Sequence, residues 1–288
     1  MIEPHSLSIF GRGALGSALH NFFKKKSYFI RSVWDRNGGD IYPHKVDSAF
    51  KSENNLPKHE NELGNLIFIA VPDDQISLLA KRLSSAPIQW ENRSVVHCSG
   101  NLPSNICSDL SERGAKVAAM HPIQTFQKGD TQNRFNEIYI TLEGEPELLD
   151  FLHTIVNDMG AHPIRITPEQ KRVIHIASVI ASNYLVSLMN ISESLLNDAG
   201  IDEGIDILQP LVAQTVQNMF EKGVADSLTG PISRGDVESV KYHLKSLKGN
   251  KPYSEIYKLM GLEALKIAEK KGNLSNELAD ELEKLLKT

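Results

Sequence analysis

Six residues near the start of the chain, Gly11-Arg12-Gly13-Ala14-Leu15-Gly16, have the types and spacing needed to hold a diphosphate. Gly11 would let the chain turn sharply. Gly13 lacks a Cβ and would let the backbone approach a pyrophosphate, and Gly16 would allow close packing of a helix on a strand. A helix starting here would aim unpaired N–H groups and a partial positive charge at the phosphates. The apolar run Leu7-Ser8-Ile9-Phe10 before the motif, and the helix-forming segment after it, supply the strand-turn-helix setting that such a loop requires. Asp35 ends a second apolar run, Tyr28 to Trp34, at the distance where a carboxylate accepts hydrogen bonds from adenosine ribose hydroxyls. Arg36 follows at once, and a guanidinium there suits the 2′-phosphate of NADP. NADP is therefore favoured and NAD stays open. The plainer reading of Asp35 to Gly39 is a solvated turn.

Three further groups could do chemistry. In an open α/β sheet, ligands sit at the carboxyl ends of strands where the strand order reverses. That would put Val71-Pro72-Asp73-Asp74 and His97-Cys98-Ser99-Gly100-Asn101 beside the cofactor, with Ser99 and Gly100 at its nicotinamide end, unless these are ordinary strand-to-helix turns. His121, at the end of Lys116 to Met120, can act as general acid or base, with Pro122 fixing the chain, or can bond to nearby backbone and hold its loop. Lys171, His175, Ser178 and Ser182 fall on one helical face, with Asn183 on its flank. A polar line on an apolar helix needs partners. These would be a substrate, with Lys171 or His175 moving a proton, Asn183 orienting a carbonyl and Ser182 beside them, or else a partner helix or subunit. In Thr229-Gly230-Pro231-Ile232-Ser233-Arg234-Gly235-Asp236, Arg234 could hold an anionic substrate group. The competing reading, slightly preferred on physics, is a capping turn with Asp236 as N-cap. No metal-ligand spacing is evident.

The elements that must position these groups follow from pattern. Strands are expected at 6–10, 28–34, 66–71, 94–98, 116–119, 137–142 and 162–166, with a short extra one at 45–50. The runs at 66–71 and 94–98 are continuously apolar, as strands covered on both faces are. Helices are expected at 14–24, 74–84, 104–113 and 146–158, with Asp73 and Ser104 as N-caps and Gly160 as a stop. Such alternation gives a doubly wound, mostly parallel sheet. The polar stretch 51–65 reads as a surface loop or short helix. Near residue 167 the pattern changes. Thr167-Pro168-Glu169-Gln170 reads as N-cap, Pro and acidic first turn, opening a helix of about thirty residues that Gly200 ends. Helices alone follow, near 203–221, 236–247, 252–271 and 275–287. The expected domains are thus 1–166, α/β and dinucleotide-binding, and 167–288, all-α.

The 288 residues suffice for two domains, and 41% apolar with 23% charged residues is a soluble globular profile. The net charge of −5 argues against nucleic acid or an anionic membrane as partner. Two cysteines, Cys98 and Cys107, form no framework and suit a reducing cytoplasm. The first strand starts too early to leave room for a signal peptide. The most apolar segment, Val173 to Ile191, carries His175, Ser178, Ser182 and Asn183, which points to a buried helix rather than a membrane span.

Taken together, the glycine motif, Ala70-Val71-Pro72-Asp73, His97-Cys98-Ser99-Gly100, Met120 to Phe126, Lys171 to Asn183 and Gly230 to Asp236 resemble a family that joins a Rossmann-like NADP-binding domain to a helical domain of unknown function. The architecture is also similar to that of the 6-phosphogluconate dehydrogenase-like reductases, among them ketopantoate, pyrroline carboxylate and prephenate enzymes. The resemblance implies a Rossmann domain, a small-molecule substrate bound between domains and a homodimer through the C-terminal helices. His121-Pro122 resembles the His-Pro of prephenate dehydrogenase, but Ile123 follows where that motif runs on to glycine. Lys171 and His175 match the Lys and Asn pair of ketopantoate reductase only in part.

These readings converge on an NADP-dependent oxidoreductase, passing hydride between nicotinamide and a small carbonyl, imine or hydroxy acid, with His175 or His121 handling the proton. The main alternative is a regulatory or scaffold protein that holds NADP without turnover. A reductase with a deazaflavin partner is a third.

Overall fold

The computed structural model describes residues 6–41, 50–52, 56–129, 133–272 and 274–288. By packing, the chain divides into two compact units, Met1–Ser182 and Asn183–Thr288.

The apolar runs of the first unit form strands β1 (Leu7–Phe10), β2 (Ile30–Asp35), β3 (Gly38–Ile41), β4 (Phe50–Ser52), β5 (Leu66–Ile69), β6 (Ser94–His97), β7 (Lys116–Pro122), β8 (Tyr139–Gly144) and β9 (His162–Arg165). Between them lie helices α1 (Ala14–Lys25), α2 (Asp73–Ser84), α3 (Ser108–Ser111) and α4 (Pro146–Asp158), and α5 (Pro168–Ala181) follows β9. The sheet order is β4-β3-β2-β1-β5-β6-β7-β8-β9. β2, β1, β5, β6 and β7 are parallel, whereas β3, β4 and β8 each pair antiparallel with the preceding strand. β5 and β6 are wholly buried, because helices cover both faces. One face packs Leu7, Ile9, Phe68, Val96 and Met120 against α1 and α4. The other packs Phe10, Ile69, Val95 and Val117 against α2, α3 and Trp90.

The strands expected by pattern are present, and several other expectations change. Residues 38–41 are not a solvated turn but β3, paired in a hairpin with β2. Gly39 is needed there, since a Cβ would lie 2.5 Å from the Trp34 ring. Most of the extra strand expected at 45–50 lies outside the described residues. Of the polar stretch, Lys51 and Ser52 belong to β4, and Glu60–Glu62 forms one 3₁₀ turn. The helix expected over 104–113 is a 3₁₀ turn, Ser104–Cys107, plus the single turn of α3. Gly160 does end α4, with φ +75°. Thr167 caps α5 in a capping box with Gln170.

The second unit holds α6 (Asn183–Asp198), α7 (Gln209–Lys222), α8 (Val224–Ser227), α9 (Pro231–Arg234), α10 (Val237–Ser246), α11 (Lys251–Lys271) and α12 (Asn276–Lys287). Its core is Ile232, Val237, Val240, Leu265, Leu282 and Leu286. The long helix is interrupted at Ser182, where the backbone is distorted to φ −113° and ψ −69° while its N–H still bonds to Ser178 O. The expectation that this apolar segment is buried is not met. By length and composition alone Pro168–Asp198 could cross a membrane, and no residue of its most apolar window is fully buried. The reason lies in α5, where Lys171, Ile174, His175 and Ser178 face inward while Val173, Ile176 and Ile180 face out.

Candidate active site

The strand order reverses between β1 and β5, so their carboxyl ends flank a crevice. The glycine motif sits there. Gly11 has φ +112°, and a Cβ on it would fall 2.2 Å from Ala70 O, just beyond β5. A Cβ on Gly16 would fall 2.1 Å from Gly11 O, so both positions require glycine. Gly13 differs, since a Cβ there meets open space. It starts α1 with no side-chain cap and no acid in the first turn. Open space over an uncapped helix N-terminus fits a bound phosphate. Leu15 and Ala14 form that first turn. Val71 is half-buried after β5, and Pro72 precedes α2 as its N-cap residue.

Arg12 projects from this loop to the end of β2. Its Nε lies 3.2 Å from Asp35 Oδ2, and Nη2 donates to Asp40 Oδ2 at 2.6 Å and to Val33 O at 2.9 Å. Arg36 is exposed in the following turn.

A second cluster lies at the ends of β6 and β7. His97, Ala119 and Glu143 are aligned across β6, β7 and β8. His97 Nε2 is 3.1 Å from Pro103 O, and its Nδ1 accepts the Ser99 N–H, which fits one neutral tautomer. Burial, reinforced by the charge of Lys171, pushes His97 down to about 4. Glu143 accepts from Ser104 N and Oγ, both at 2.7 Å. Ser99 Oγ donates to Asp73 Oδ2 at 2.8 Å. Asp73 and Ser104 are thus not N-caps. Each side chain is drawn into the cluster instead, and α2 and the 3₁₀ turn start without a side-chain cap.

Lys171 comes from the first turns of α5 and is 1% exposed, and its Nζ has no hydrogen-bond partner among the described residues. Burial lowers it to about 8, against the opposing pull of Glu143, Cys98 and Asp73. His121 and His175 meet edge to face at 72°, ring centres 6.0 Å apart, over Gly100. A Cβ on Gly100 would lie 2.7 Å from both imidazoles. Burial, then Lys171 and His175, push His121 down to about 4. Both rings remain partly exposed, whereas the lysine is enclosed.

His121, Lys171, His175, Ser99 and Gly100 therefore come together within the first unit. Ser182 ends its inward face, half-buried. Asn183 starts α6 in the second unit, exposed. Arg234 is exposed at the end of α9, followed by Gly235 in left-handed geometry and by Asp236, which caps α10 by accepting from Ser239 N. Thr229 and Pro231 line an apolar cavity of about 430 Å³ with Leu188, Ile191, Tyr257 and Met260. Sequence reasoning placed Asp73 and His97 beside the cofactor but did not foresee their side-chain contacts, and it missed Asp40 and Glu143 as site residues. The signal for Glu143 was a charge at the very end of an apolar strand run. Among the described residues no His, Cys, Asp and Glu group is arranged to hold a metal.

A Rossmann-like domain model matches residues 4–122, and the domain of unknown function DUF2520 matches 138–264. No curated protein matches the sequence. Among solved structures, a Bacteroides fragilis protein provisionally described as an NADP oxidoreductase is 20% identical over 92% of this chain and 99% of its own, with TM-score 0.72. A Thermotoga maritima protein is 23% identical over the same shares, with TM-score 0.68. A reductive aminase from Aspergillus terreus, in complex with NADPH and ethyl-5-oxohexanoate, is 16% identical over 99% of this chain and 93% of its own, with TM-score 0.60. With the sheet order and the glycine loop, these matches identify the chain as a Rossmann-like domain joined to a DUF2520 domain, in a fold shared with NADP oxidoreductases.

Proposed function

We propose that the protein is an NADP-dependent oxidoreductase acting on a small carbonyl, imine or hydroxy acid. The observation that carries this reading is the pairing, within one unit, of an open phosphate cradle at the strand-order switch with two half-exposed imidazoles backed by an enclosed lysine. Residues 11–16, Arg12, Asp35 and Arg36 would hold the adenosine half of the dinucleotide, and Val71, Pro72, Ser99 and Gly100 the other. When bound, the nicotinamide supplies or accepts the hydride. The proton belongs to the chain. His175 moves it, while His121, kept neutral by burial and by Lys171, orients the substrate oxygen or nitrogen by hydrogen bonding. Lys171 acts through these rings, since its Nζ is shielded from solvent. Structures of this fold with NADPH, including a reductive aminase, support the cofactor and the carbonyl or imine class.

The uncovered apolar residues of α5 and α6 support a homodimer through the C-terminal helices. A bilayer is disfavoured for them, because the opposite face of α5 carries Lys171, His175 and Ser178. The two free cysteines are buried, which suits a reducing cytoplasm.

The test is a titration with NADPH and NADH followed by nicotinamide fluorescence, then a screen of oxo acids, imines and hydroxy acids for absorbance change. Binding with turnover that His175→Ala abolishes is the expected result. No binding of either dinucleotide at millimolar concentration overturns the reading. Tight binding with no turnover in any class leaves the regulatory alternative.

A further inference from the structure

We infer that Arg12 decides which dinucleotide the glycine loop accepts, by masking Asp35. The inference rests on the dinucleotide reading of that loop. A carboxylate at the end of the second strand ordinarily takes the adenosine ribose diol and repels a 2′-phosphate. Here both oxygens of that carboxylate are engaged. Oδ1 accepts the Asn37 N–H at 2.7 Å, and Oδ2 faces Arg12 Nε at 3.2 Å. The same guanidinium binds Asp40 Oδ2 and Val33 O, so the loop, β2 and β3 are tied at one point.

The charge count decides the sign. Asp35 and Asp40 carry two negative charges, and Arg12 and Arg36 two positive ones. Among these four described residues the charges cancel, and a 2′-phosphate meets Arg36 in the exposed turn without net repulsion from them. Without Arg12 the other three carry one excess negative charge, and Asp35 is released to accept from a ribose diol. His20 also faces this group and is held below its ordinary range by burial, Lys24 and Arg12, so it adds no compensating charge near neutral pH. Position 12 is the unspecified residue of the Gly-x-Gly pattern, so the turn itself does not demand arginine there.

Calorimetric dissociation constants for NADPH and NADH would be measured on the unmodified protein, Arg12→Ala, Asp35→Ala and the double variant, each checked by thermal melt. Arg12→Ala is expected to weaken NADPH by about tenfold while NADH binds equally or more tightly. Adding Asp35→Ala to it should restore part of the NADPH affinity and remove any gain for NADH. Arg12→Lys should fall between. Equal weakening of both dinucleotides by Arg12→Ala, or an Asp35→Ala effect independent of position 12, overturns the inference while leaving the dinucleotide reading intact. Failure of the unmodified protein to bind either one overturns both.

Discussion

Helices α4 and α5 follow one another in the same unit, at 13 and 14 residues, and bury opposite things. α4 buries Leu148, Leu149, Leu152, Ile155 and Val156, a stripe at helical spacing pressed on the sheet. α5 buries one residue, and it is Lys171. Its apolar residues point away, with Val173 65%, Ile176 59% and Ile180 56% exposed. Burial of apolar area stabilises α4 directly, at roughly 1.5–3 kcal/mol per large side chain. Among the described residues α5 buries no such apolar stripe. An inward ammonium and an outward apolar face are unfavourable for an isolated helix, and the proposed function accounts for them with a site on one side and a second copy on the other.

The largest expected effect tests the outward face. In the dimer reading, Val173→Glu with Ile176→Glu should halve the mass measured by light scattering, while Leu78→Glu, an equally exposed apolar residue on α2, should leave it unchanged. A monomeric unmodified protein, or one that sediments with lipid vesicles, would remove the second copy from the explanation.

Next comes the contrast between the two buried positions. Leu152→Ala should cost about 2–5 kcal/mol in denaturant unfolding, because it opens a cavity in a packed core. Lys171→Met should leave stability unchanged or raise it, because it removes a buried ammonium with no hydrogen-bond partner. A loss at Lys171 as large as that at Leu152 would mean that the lysine holds the fold together.

The next effect, on the order of 3 kcal/mol per group, concerns pH. Lys171 falls from 10.5 to about 8 on folding, so between those values the unfolded chain binds more protons and stability should rise with pH. His97 and His121 fall from 6.5 to about 4, which gives a second rise across that acid interval. Lys171→Met should abolish the alkaline rise and flatten the acid one, since its charge helps to depress both histidines. Unfolding curves across pH for the two proteins check this, and identical profiles would count against the electrostatic link.

The same contrast marks what was legible in the sequence. Continuously apolar runs announced β5 and β6, because both faces of those strands are covered. The polar line on α5 announced the inward face correctly, but not that the apolar remainder would face out, since periodicity shows which residues share a face and not which face is covered. β3 escaped because Gly38 and Gly39 have no strand propensity, and only the Trp34 ring packed over Gly39 makes glycine the fitting residue. The side-chain contacts of Glu143, Asp73 and Ser104 escaped for a related reason. Their partners lie 26 to 39 residues away, and local capping rules explain such side chains without long-range contacts.

The smallest effect shows how α5 stays helical without a buried stripe. Thr167 Oγ1 accepts from Gln170 N, and Gln170 Oε1 accepts from Thr167 N. α4 begins with no side-chain cap and relies on its leucines. Thr167→Ala should therefore cost about 1 kcal/mol, with Thr167→Ser retaining most of it. The effect should also reach the site, because Lys171 N bonds to Thr167 O at 2.9 Å, so the turn that the cap secures is the one that carries the lysine. Fraying there should speed amide exchange at Lys171 and, in the oxidoreductase reading, lower turnover more than cofactor affinity. Loss of stability with unchanged exchange at Lys171 would separate the cap from the site and leave the enclosed lysine to be held by the sheet alone.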